Sequence, residues 1–89
     1  MLEEERKRLD EIDGQIVELI VKRLKIAEEI AKVKNDNGLS ICDTKREEEV
    51  LSRLKALAPE EFSGYIATVY RDIFYISKEH QREYIKNVL

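Results

Sequence analysis

Residues 9–34 read LDEIDGQIVELIVKRLKIAEEIAKVK, and this stretch decides the fold. With Leu9 at zero and steps of about 100° per residue, Ile12, Ile16, Leu19, Ile20, Ala27, Ile30 and Val33 fall on one broad face. That periodicity predicts an α-helix. Working outward, charged residues carry the pattern back to about residue 3. The turn-forming cluster Asn35-Asp36-Asn37-Gly38 stops it near 36, with Gly placed to end a helix. Gly14 inside the run is a local weakness, costing about 1 kcal/mol relative to Ala.

Two features of this helix are awkward for a monomer. Arg23 lies within about 40° of Leu9 and Lys34 within about 20°, so both cations share the apolar stripe with no acid beside them on it. Charges are rarely buried unless paired. Length is the second difficulty. About 34 helical residues span roughly 50 Å, whereas a compact domain of this size has a radius of gyration near 13 Å. The helix overhangs a single chain, and the expected remedy is a homodimer in which long helices pack on each other. A plain antiparallel coiled-coil hairpin is the simpler alternative.

Beyond the first turn, Ala58-Pro59-Glu60-Glu61 reads as a second helix start, with Pro in the first turn and acids behind it. The expected architecture is all-α, with helices at about 3–36, 44–57 and 60–86 forming one domain over 1–89. Ser63-Gly64 is expected to loosen the start of the third helix. Thr44 with Glu47 three residues on fits a capping box at the start of the second. The third helix carries an apolar face of Ile66, Val69, Tyr70, Ile73, Phe74, Tyr84 and Val88.

Composition agrees. Charged residues make up 39% of the 89 and apolar residues 43%, with three Gly and one Pro. Such a chain favours long helices over many-stranded sheets. Sixteen basic and nineteen acidic residues leave a net charge of −3, which argues against a general nucleic-acid binder. The single cysteine, Cys42, cannot form an internal disulfide and suits a reducing cytoplasm. No apolar run approaches the roughly 20 residues of a membrane span, and the charged N-terminus does not read as a signal peptide.

Each helix places polar residues where a core is expected: Arg23 and Lys34 on the first, Arg46 and Glu47 on the second, Ser77 and Gln81 on the third. His80 lies near that last face, where packing and a site role both stay open. No paired His or Cys-x-x-Cys suggests a metal, no Gly-rich loop suggests a nucleotide, and Cys42 has no evident His partner. A set rich in cations and hydrogen-bond donors fits a small, multiply anionic molecule. It would act by orientation and electrostatics, without cofactor or covalent step.

These residues also fall in a familiar order. Arg6-Lys7-Arg8-Leu9-Asp10-Glu11-Ile12-Asp13 opens the chain. Lys22-Arg23-Leu24-Lys25-Ile26-Ala27 and Ala31-Lys32-Val33-Lys34 follow, then Asp43-Thr44-Lys45-Arg46-Glu47, then Ser77-Lys78-Glu79-His80-Gln81. The sequence resembles the all-helical chorismate mutase family over nearly its whole length. Ser40 and Thr44 stand where that family often has prolines. The resemblance implies an intertwined homodimer that isomerises the chorismate dianion to prephenate, on the route to phenylalanine and tyrosine. It implies that Arg6 and Arg23 clamp the two carboxylates and that Lys34 and Gln81 donate to the ether oxygen. Glu47 would accept from the ring hydroxyl, near the backbone at Asp43, with Ser77 on a carboxylate and Arg46 lining the pocket.

Arg6 and Arg23 are seventeen residues apart, about 25 Å along one helix and about 100° around it. Both can serve one small ligand only if Arg6 comes from the partner chain. Arg8 is an alternative to it. Two rival functions stand beside the mutase. Isochorismate-pyruvate lyases resemble the family and keep the clamping arginines, but tend to lack the acidic pair represented here by Asp43 and Glu47. A non-enzymatic helical dimerisation module would have no use for Arg23 or Lys34.

Overall fold

A computed structural model describes residues 1–89 as three helices and no strands: α1 (Glu3–Asp36), α2 (Thr44–Leu57) and α3 (Glu60–Asn87). The expected bounds hold to within a residue. No helix is long and apolar enough to cross a membrane.

Local chemistry fixes each end. Glu3, Glu4 and Glu5 place negative charge on the first turn of α1, opposite the helix dipole. At its other end Gly38 takes φ +64°, the Leu39 amide donates to Lys34 O at 2.8 Å, and the Gly38 amide donates to Asn35 O at 3.4 Å. This pair of bonds is a Schellman turn. An added Cβ at Gly38 would meet nothing within 4 Å, so the demand for glycine is purely conformational. Gly38→Ala is expected to lower stability by about 1 kcal/mol. The check is a lower urea midpoint at unchanged slope; an unmoved midpoint would show that this turn does not need a left-handed residue.

The start of α2 differs from the expected capping box. Asp43, not Thr44, is the N-cap, and its Oδ1 accepts from the Arg46 amide at 3.1 Å. Asp is at least as good a cap as Thr, and using it moves the helix start back by one residue. Glu47 then stands beyond the box position, and its side chain is free to face inward. At α3, Pro59 caps with φ −54° and Glu60 and Glu61 follow. Ser63-Gly64 does not break the helix: the Ser63 and Thr68 hydroxyls donate back to Glu60 O and Gly64 O.

α3 lies between the other two. It packs on the C-terminal half of α1 on one side and on α2 on the other, while α1 and α2 do not pack together. Ala27 and Ala31, one turn apart, are the buried contact residues of α1, and their small side chains permit close approach. Ala67, Phe74, Ser77 and Gln81 are buried on α3 and Val50 on α2. Glu28 and His80 join α1 to α3 at 2.7 Å.

Most of the expected apolar stripe of α1 does not pack within the chain. Every residue from 1 to 22 is exposed, and Ile30 and Val33 farther on are exposed too. On α3, Val69 and Val88 are likewise exposed. One neighbouring helix cannot cover so wide a stripe over such a length. The molecule measures 54 × 28 × 14 Å with a radius of gyration of 16.0 Å. A compact chain of this length has about 12–13 Å.

Candidate functional site

α1, α2, α3 and the 37–43 loop line a cavity of about 400 Å³. Seven of the eight site residues expected from sequence line it: Arg23, Lys34, Asp43, Arg46, Glu47, Ser77 and Gln81. Arg6 does not. It sits on the bare N-terminal part of α1, about 25 Å from Arg23 along the axis. The apolar part of the wall comes from Ile26, Ala27, Ile30, Ile41, Val50 and Phe74.

Arg23 and Lys34 are held without being neutralised. Arg23 lays its guanidinium against Tyr70 and Phe74, 5.9 and 5.8 Å from the ring centroids. Such contacts orient a guanidinium while leaving its in-plane donors available. Neither Arg23 nor Lys34 takes part in any ion pair of the chain. Lys34 Nζ instead donates to the Ile41 carbonyl at 3.0 Å. The Schellman turn after α1 brings that carbonyl back over the last helical turn. Arg46 reaches only Glu49, at 4.0 Å and largely exposed.

Gln81 and Ser77 are 6% and 9% exposed. Gln81 Nε2 donates to Ser77 Oγ at 3.1 Å, and Gln81 Oε1 is buried with no partner in the protein. A buried, unpaired polar atom is rare in a folded chain and marks a place to look for function. The amide is thus satisfied by a neighbour at one end only.

Sequence reasoning missed two parts of the wall. The Ile41 carbonyl is backbone and has no sequence signature. Lys78 lines the cavity and pairs with Glu47 Oε2 at 3.0 Å. Its helical spacing, four residues after Phe74 and three before Gln81, was the available signal. His80 lies outside the cavity, facing Glu28. Cys42 is exposed, and no group of three His, Cys, Asp or Glu side chains converges as a metal site.

The chain can be set beside known proteins on this geometry. A family model described as chorismate mutase type II matches residues 5–82. A chorismate mutase from Methanocaldococcus jannaschii is 35% identical over 88 residues, covering 99% of this chain and 87% of the relative. Among solved structures, a chorismate mutase from Helicobacter pylori in complex with prephenate is similar with a TM-score of 0.88 and 35% identity, covering 99% of this chain and 97% of that one. A conserved hypothetical protein from Pyrococcus furiosus is similar with a TM-score of 0.75 and 41% identity, covering 90% and 93%. The matched segment takes in every residue that lines the cavity, and the chain belongs to the chorismate mutase type II family.

Proposed function

We propose that this cavity isomerises chorismate to prephenate. The carrying observation is the meeting of Arg23, Lys34, Asp43, Arg46, Glu47, Ser77 and Gln81 from three helices and a loop around one cavity of about 400 Å³. Four cations (Arg23, Lys34, Arg46, Lys78) stand against two carboxylates (Asp43, Glu47), a surplus of two positive charges for a substrate with two negative ones. The similar H. pylori protein is one that holds prephenate.

The reaction is a [3,3]-sigmatropic rearrangement. An ether C–O bond breaks as a C–C bond forms, and no proton moves. Negative charge grows on the ether oxygen in the transition state, so donors aimed there accelerate the step. Lys34 keeps two N–H donors after its bond to Ile41 O. Gln81 supplies the second contact. Turned about its terminal bond, its amide accepts from the Ser77 hydroxyl through Oε1 and presents its NH₂ to the ether oxygen. Both of its polar ends then have partners. Arg23 takes one carboxylate, Ser77 spends its one proton on orienting the Gln81 amide, and Glu47 accepts from the ring hydroxyl near Asp43. Arg46 lines the mouth.

The second carboxylate needs Arg6, and we place it there from a second copy of the chain. The chain exposes 7263 Å², where a folded monomer of this mass exposes about 5,400 Å². The excess, about 1,800 Å², is what each partner of an obligate homodimer can bury. Leu9, Ile12, Ile16 and Leu19, all exposed, supply its apolar part. Sedimentation equilibrium should return twice the 10.5 kDa chain mass. We place the protein in the cytoplasm, where its unpaired, exposed Cys42 stays reduced.

The test is to mix the protein with chorismate and, separately, with isochorismate, and to identify the products. Prephenate from chorismate is expected. Salicylate and pyruvate from isochorismate alone would make it a lyase. A folded dimer that turns over neither would be a helical dimerisation module.

A further inference from the structure

We infer that Lys78 is a positioning residue that divides the work of the Glu47 carboxylate between its two oxygens. This rests on the chorismate reading above. Lys78 Nζ lies 3.0 Å from Glu47 Oε2, and the two side chains are 22% and 26% exposed. Glu47 Oε1 has no such partner and is the oxygen left for the substrate's hydroxyl. Without the ammonium, a carboxylate on this wall would swing and repel the dianion that the other cations attract. With it, one oxygen is fixed, the charge is offset, and the other oxygen keeps its full acceptor capacity.

The surroundings make the pair more than a surface ion pair. Exposed pairs contribute little because water screens them and two long side chains must be ordered. Here both ends are about three-quarters shielded and lie on the cavity wall. The pair also crosses from α3 to α2, and α2 rests on α3 alone. Lys78 follows Ser77 directly and lies one turn from Gln81, so the face that presents those two side chains also aims the ammonium at Glu47. Each ion of the pair is thus set by its own helix.

A double-mutant cycle separates this role from a direct contact with substrate. Lys78→Met keeps the apolar stem and removes the charge. It should lower kcat/KM for chorismate about tenfold, mostly through KM, because the lost term acts on the bound dianion before and during reaction alike. Lys78→Arg, which can still reach Glu47, should stay within about threefold of wild type. In a Glu47→Gln background, itself impaired, adding Lys78→Met should cost less than about twofold, since there is no charge left to offset or hold. A tenfold loss that persists in that background would mean that Lys78 binds the substrate itself, and the inference would be wrong. So would an effect under twofold in the wild-type background. Wild-type protein that fails to convert chorismate would bring down the functional reading and this inference together, whereas the other two outcomes leave the functional reading in place.

Discussion

Lys34→Ala is expected to lower kcat for chorismate by about 10²- to 10³-fold. The loss should appear equally in kcat/KM, the sign of a contact that strengthens only as charge builds in the transition state. The fold should survive. Alanine is a better helix former than lysine, and Lys34 occupies the last turn of α1, where the single hydrogen bond of its side chain goes to Ile41 O. Losing that bond costs about 1 kcal/mol, a fall in thermal midpoint of about 4–8 °C for a chain of this size. Circular dichroism and a melting curve would separate this cost from the kinetic one. A kcat within about tenfold of wild type would remove Lys34 from the ether oxygen. A neutral or stabilising effect with no activity to lose would favour the dimerisation module.

Mixing two inactive variants is expected to restore activity. Arg6→Ala and Arg23→Ala should each lose about 10²-fold or more in kcat/KM, because each removes one carboxylate clamp. If Arg6 serves the site of the partner, a mixed dimer has one site lacking both arginines and one lacking neither. After subunit exchange at equal amounts, half the dimers are mixed, and the activity should recover to about a quarter of wild type. If Arg6 served its own chain, every mixed dimer would carry two damaged sites and nothing would return. Arg8→Ala in place of Arg6→Ala tests the neighbouring arginine by the same recovery.

Most of the positions that build this site could be read from helical angles. Arg23 and Lys34 stood out as cations on an apolar stripe, and Ser77 and Gln81 as polar residues one turn apart on another. The structure brings these four onto one cavity with Arg46, Glu47 and Asp43. Periodicity says which residues share a face, but it does not say whether a neighbour reaches that face. That is why Ile30, Val33, Val69 and Val88 read as core and are exposed in the chain. Where Asp43 and Thr44 stand side by side, either can cap, and spacing alone does not choose between them. The structure chooses Asp43. Lys78 shares its side of α3 with Phe74 and Gln81 by spacing, but spacing alone does not separate a cation that meets a carboxylate across the gap from one that faces solvent. The Ile41 carbonyl could not be read at all, since a backbone acceptor depends on how the chain turns after Gly38.

Because α1 and α2 touch only α3 and not each other, a molecule gripped by Arg23 on one wall and Glu47 on the other becomes a brace across a gap that the polypeptide does not close. The ligand then contributes to the mechanical integrity of the protein. α2, secured along a single flank, should open most often in its absence, and its amide hydrogens should exchange with deuterated solvent sooner than those buried between α1 and α3. Saturation with prephenate should slow exchange in α2 before it slows exchange anywhere else.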